Sequence, residues 1–157
     1  MYRKIMVPLD GSQLSEGIVP YARSFAETLK VPVELLHVID PEIITTFSDP
    51  ERGRYVDVVE ADMQQHGIRY LEQVARKQLE RRSSDAFAVT CSVVRGNPAE
   101  AIIDRAAAEP GALIAMATHG RSGVQRWLLG SVADKVLRAA ANHLLLVRPS
   151  GEAKNTG

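Results

Sequence analysis

Short apolar runs alternate along this chain with stretches whose apolar positions recur every three to four residues, the mark of strands interleaved with amphipathic helices. Ile5-Met6-Val7-Pro8-Leu9 reads as a strand stopped by Asp10-Gly11-Ser12. Helical spacing follows, with Ile18, Ala22, Phe25, Ala26 and Leu29 on one face. Ser15 is the expected cap, which puts Pro20 near the first turn, where a missing N–H costs little. Pro32 to Ile39 is a second strand. Residues 40–56 break the rhythm with Pro41, Ser48, Pro50 and Gly53 and read as a loop or irregular insertion. Val59, Met63, Tyr70, Leu71, Val74, Ala75 and Leu79 then outline a long helix, disturbed at Gly67 and ending in Arg81-Arg82-Ser83-Ser84.

Phe87 to Val94 reads as a third strand. Gly96-Asn97-Pro98-Ala99-Glu100 is a helix start, with Asn97 as cap, Pro98 in the first helical position and Glu100 three residues after the cap. That helix runs to Glu109 and stops at Pro110-Gly111. Ala112 to Ala117 is a fourth, buried strand. A Gly-bearing loop leads to a last helix with Val132, Val136, Leu137 and Ala140 inward, and Leu144 to Arg148 is a fifth strand. The pattern implies a parallel sheet covered by helices on both faces, with strands 2, 4 and 5 as nearly continuous apolar runs. Residues 1–149 form one domain, and 150–157 read as a flexible tail.

Composition narrows the function classes. Lys plus Arg equals Asp plus Glu at 19 each, which disfavours a nucleic-acid binder driven by bulk charge. The one cysteine, Cys91, excludes an internal disulfide, fits a reducing compartment and reads as a small buried strand residue. No apolar stretch is long enough to cross a bilayer and the start does not read as a signal peptide, so the expected location is the cytoplasm.

In parallel α/β sheets ligands bind beyond the carboxyl ends of the strands. Two of those ends carry chemistry. Pro8-Leu9-Asp10-Gly11-Ser12 places a carboxylate where it can accept from a ribose hydroxyl or an adenine edge, or simply form a turn. Ala117-Thr118-His119-Gly120, nine residues, then Gly130-Ser131 carries a buried strand through a glycine-bearing loop to a helix N-terminus. A helix start offers unpaired N–H groups and positive potential to an anion. No Gly-Lys-Ser/Thr P-loop and no Gly-x-Gly-x-x-Gly fingerprint is present, so the residues alone stop at a phosphate-binding α/β domain. His119 titrates near neutrality but has no visible catalytic partner, and reads as a phosphate or loop-packing residue. His37 and His143 read as satisfied structural residues and His66 as a surface residue. Trp127 with Leu128 and Leu129 forms an apolar patch that packs on the following helix or acts as a lid or dimer contact.

Met116-Ala117-Thr118-His119-Gly120-Arg121-Ser122-Gly123, followed by Leu128-Leu129-Gly130-Ser131-Val132-Ala133, resembles the signature of the universal stress protein family. Val7 to Ser12, Gly96 to Glu100 and Leu145 to Pro149 fit the same family, and the resemblance covers residues 2–149. It implies a Rossmann-like three-layer α/β/α sandwich of the adenine nucleotide alpha hydrolase type, with a five-stranded parallel sheet of order 3-2-1-4-5. It implies ATP or another adenine nucleotide as ligand, with Mg or Mn held by the phosphates rather than by a protein metal site. Pro8, Leu9, Asp10 and Val38 would lie near base and ribose. Met116 and Ala117 would line the sugar and first phosphate. Gly120, Gly130, Ser131 and Val132 would cradle the phosphates, beside His119; Arg121 either adds positive charge there or is a solvated loop residue.

The nucleotide-binding branch has glycine where this chain has Ala117. Alanine is costly there if the position needs positive φ and harmless if it needs only a small side chain. The resemblance further implies a homodimer through the last strand, Leu144–Arg148. The leading expectation is a nucleotide-binding regulator or sensor. A slow ATPase or phosphotransferase and an interaction module without nucleotide are the alternatives.

Overall fold

The most deeply buried strands form the middle of the sheet. In a computed structural model, which describes residues 1–79, 87–118 and 129–148, β1 (Lys4–Pro8) lies between β2 (Val33–Ile39) and β4 (Ala112–Ala117). With β3 (Val89–Arg95) and β5 (His143–Val147) at the edges, the order is β3-β2-β1-β4-β5 and every pairing is parallel. This is the expected architecture. The loop positions His119, Gly120, Arg121, Trp127 and Leu128, the expected helix end at 81–84 and the tail lie outside the described residues.

Strand side chains alternate between two cores. On one face, Ile5, Val7, Val33, Leu35, Leu113 and Ala115 pack under α2 (Val19–Leu29) and the C-terminal part of α4 (Val56–Val74), which continues as a π turn over Ala75–Leu79. On the other, Met6, Leu36, Ile114 and Met116 meet Ala99, Ile102 and Ala106 of α5 (Pro98–Ala107) and Ala133 and Val136 of α6 (Ser131–Ala139).

Several local expectations are corrected. Ser12, not Ser15, caps the first helix: its hydroxyl accepts from the Ser15 N–H at 3.1 Å, and Ser15 is buried. Pro20, without an N–H, sits in the first turn of a separate helix, so the segment divides into α1 (Gln13–Glu16) and α2. Phe25 and Leu29 are exposed, because Val19, Ala22 and Ala26 take the sheet-facing stripe. Residues 40–56 are largely helical. Asp40 caps α3 (Pro41–Phe47) by accepting from the Glu42 N–H at 2.9 Å, and a 3-10 turn follows at Pro50–Arg52.

Gly67 does not disturb α4. It lets the helix approach the sheet: a Cβ there would lie 3.0 Å from Val93 Cγ2 and 3.1 Å from His37 Cδ2. Leu137 is exposed, and Ala133 takes the inward place. β3 begins at Val89, after Phe87, and Cys91 is half-buried because β3 is an edge strand. β5 is also only partly covered, so its continuous apolar run marks an edge rather than a strand enclosed on both sides.

Asn97 caps α5 as expected, accepting from the Glu100 N–H at 3.3 Å. Asn97→Ala should lower stability by about 1 kcal/mol in urea titration, with an unchanged denaturant slope.

Candidate functional site

The carboxyl ends of β1, β2 and β4 open into a cleft of about 690 Å³. Nine site residues expected from the sequence line it together: Pro8, Leu9, Asp10, Val38, Met116, Ala117, Gly130, Ser131 and Val132. The other three, His119, Gly120 and Arg121, lie outside the described residues.

Two backbone hydrogen bonds fix the loop base. Thr118 donates its N–H to Val147 O at 2.9 Å, extending the β4–β5 ladder by one step. Gly130 donates its N–H to Thr118 O at 2.7 Å. The second bond anchors the start of α6 beside the end of β4, whatever path the intervening residues take. Gly130 is the N-cap of α6 and has no side chain to bond the first-turn amides, in contrast to Asn97 on α5. The amides of Ser131, Val132 and Ala133 belong to the first turn, where N–H groups have no intrahelical partner, and all three residues line the cleft. The helix dipole adds positive potential. Among the described lining residues, the first-turn N–H groups of α6 and the Ser131 hydroxyl are the donors at this end of the cleft.

Ala117 does not have the positive φ that would make alanine costly. Ala117 is the last residue of β4, in extended conformation, and Lys30 is the one non-glycine residue with positive φ among those described. Alanine therefore carries no backbone strain at this position. Gly11 does need its freedom: at φ 86° it turns the chain after Asp10. Asp10 is part of that turn, its Oδ1 accepting from the Ser12 N–H at 2.9 Å and the Ser12 hydroxyl at 2.6 Å. The turn and ligand readings of Asp10 are thus compatible, since the same residue lines the cleft.

Sequence reasoning missed the wall supplied by α3 and α4: Ile43, Phe47, Met63, His66, Gly67 and Tyr70. The Asp40-Pro41 helix start was the available signal for α3. Burial, reinforced by the neighbouring Glu16 carboxylate, pushes the Tyr70 hydroxyl well above the usual phenol range, so it stays protonated and donates to Glu16 Oε1 at 3.1 Å. His37 is tethered through Nδ1 to Leu9 O at 2.8 Å, as a structural histidine should be, yet it also lines the cleft. His143 meets the Tyr2 hydroxyl at 3.1 Å. His66, largely exposed, contacts Asp62 O at 2.8 Å. No group of three or more potential metal ligands occurs among the described residues.

Residues 1–148 match the universal stress protein family. The chain belongs to that family. It is 27% identical over 154 residues to universal stress protein YxiE of Bacillus subtilis, across 94% of this chain and 100% of that one. The solved structure of hypothetical protein MJ0577, from Methanocaldococcus jannaschii, superposes with a TM-score of 0.80 at 28% identity, covering 96% of this chain and 99% of that chain. A universal stress protein from Archaeoglobus fulgidus, solved in complex with dAMP, shares the fold with a TM-score of 0.61 at 19% identity, over 94% of this chain and 98% of that chain. Family membership thus agrees with the observed strand order.

Proposed function

We propose that this protein is an adenine-nucleotide-binding regulator or sensor, with ATP as the favoured ligand. The observation that carries the reading is the uncapped start of α6, held against the end of β4 and opening into a cleft whose walls are largely apolar. Phosphates bind at the amides of Ser131, Val132 and Ala133. Base and ribose lie along Pro8, Asp10, Val38 and Met116. The A. fulgidus relative solved with dAMP supports an adenine nucleotide as the ligand class. A divalent cation arrives with the phosphates.

The regulator reading is preferred over the enzyme because phosphoryl transfer needs a positioned acceptor and concentrated charge at the γ-phosphate, whereas the feature that carries the proposal, backbone amides at a helix start, supplies anion binding. Nucleotide occupancy signals through a difference in affinity between two states of the protein. We assign the chain to the cytoplasm, where ATP is abundant; no helix among the described residues is long and apolar enough to cross a membrane.

Protein purified without added nucleotide, then denatured and chromatographed, should release an adenine nucleotide, and stripped protein should bind ATP on calorimetric titration. Absence of both results would favour the interaction module. Steady phosphate release, lost in Ser131→Ala, would favour the slow ATPase.

The edge position of β5 also supports a homodimer, since a half-buried apolar strand at a sheet edge invites pairing with a second copy. Sedimentation should give twice the chain mass at micromolar concentration. A monomer there would remove this part of the reading.

A further inference from the structure

The cleft is lined from both sides of the sheet. Val38 packs with Ile102, Met116 and Val132 on the α5–α6 core, whereas the adjacent His37 meets α4 at Gly67 and Tyr70. This is the alternation of neighbouring strand residues. A nucleotide held at α6 and running along Val38 and Met116 occupies the first side. It leaves the α4 side unused, so a separate role for that side rests on the proposed function to this extent.

The α4 side has its own chemistry. Met63 and Gly67 of α4 wall it, and the partly exposed Ile43 and Phe47 of α3 form its rim. His37 supplies the polar group. Its Nδ1 lies 2.8 Å from Leu9 O. A carbonyl oxygen only accepts, so Nδ1 carries the hydrogen and Nε2 of the neutral ring presents a lone pair. No described residue bonds Nε2. His37 is only partly buried and lines the cleft. Tyr70 stands edge-on to the imidazole at 6.1 Å, and its hydroxyl hydrogen is committed to Glu16. The side therefore combines apolar walls with one fixed acceptor.

We propose that the α4 side of the cleft is a second subsite, which takes a compact uncharged aromatic ring bearing an N–H or O–H donor. Met63, Ile43 and Phe47 cover the ring, and His37 Nε2 accepts the hydrogen. The walls alone would hold any flat apolar molecule, so the histidine is what selects for a donor. Nucleotide and ring occupy opposite sides of the strand ends and bind together.

Indole is a suitable probe, and 1-methylindole is its control, having nearly the same shape without the N–H. Both are titrated into the full chain with and without saturating ATP, followed by calorimetry and by the imidazole nitrogen resonances of His37. Indole should bind saturably and shift the His37 Nε2 resonance, with 1-methylindole about tenfold weaker for want of the hydrogen bond. His37→Phe should erase that preference, and ATP should leave indole bound. Absence of saturable indole binding, equal affinity for the two compounds, or displacement of indole by ATP overturns the proposal. So does an unchanged preference in His37→Phe. Should that variant fail to fold, the comparison of the two compounds on the unaltered protein decides alone. A chain that binds indole but not ATP would refute the nucleotide reading and leave the subsite standing.

Discussion

Glu34→Ala is expected to destabilise the protein by about 3 kcal/mol, the cost of breaking a buried ion pair from one side. Glu34 is 1% exposed at the centre of the sheet, on the face covered by α5. Its carboxylate accepts from Arg105 Nε at 2.7 Å and from Lys4 Nζ at 3.1 Å, and Lys4 also reaches Glu109 at 2.6 Å. Removing it leaves two cations facing a cavity inside the sheet layer. The figure sits at the low end of the range because Lys4 and Arg105 keep partial contact with water.

Burial alone would push the Glu34 carboxyl up. Hydrogen bonds from Ser92, Arg105 and Lys4 outweigh it and hold the group below its ordinary value. Its contribution is therefore complete above the unfolded carboxylate value, about 4.3, and is lost as pH falls through the lower folded value. Urea unfolding of the unaltered protein and of Glu34→Ala, compared from pH 7 down to pH 3, should show the stability gap narrowing on the acid side. A constant gap would mean that the network contributes packing rather than charge.

Ser131→Glu should weaken ATP binding at least about a hundredfold while slightly stabilising the fold. The two effects have one cause. A carboxylate at the first position of α6 interacts favourably with the helix dipole, worth about 0.3–1 kcal/mol. The same charge repels phosphate from the cleft; two like charges about 4 Å apart near a surface cost up to about 4 kcal/mol. Thermal unfolding and calorimetry on one preparation separate the two. Unchanged ATP affinity would move the phosphates away from α6, and loss of stability would show that the helix start is not the free donor set described.

The alternation of strands and helices was legible from short-range signals, namely apolar runs, the Asn97-Pro98 helix start and glycines after a buried strand, whereas the strand order and most of the nine cleft-lining residues came from the family resemblance. What the sequence hid depended on packing between distant segments. Phe25 and Leu29 satisfy helical spacing as well as Val19 and Ala26 do, and only the approach of α2 to the sheet decides which stripe is buried. The α3–α4 wall stayed hidden because Pro41 and Pro50 resemble breaks, although each directly follows a capping aspartate and opens a helical turn. Gly67 resembles a helix defect, and its use lies in residues thirty positions upstream and twenty-six downstream, His37 and Val93. Glu34 carries no signal at all in an otherwise apolar strand, since its partners come from β1 and α5.

The central claim is that backbone amides at the start of α6 hold the phosphates of an adenine nucleotide. It is tested most directly by titrating ATP into uniformly 15N-labelled protein and following the assigned amide resonances. Saturable shifts are expected, largest at Ser131, Val132 and Ala133, with smaller ones at Asp10 and Val38. Saturable binding that leaves residues 131–133 unmoved, or no saturable binding at millimolar ATP, would contradict the claim.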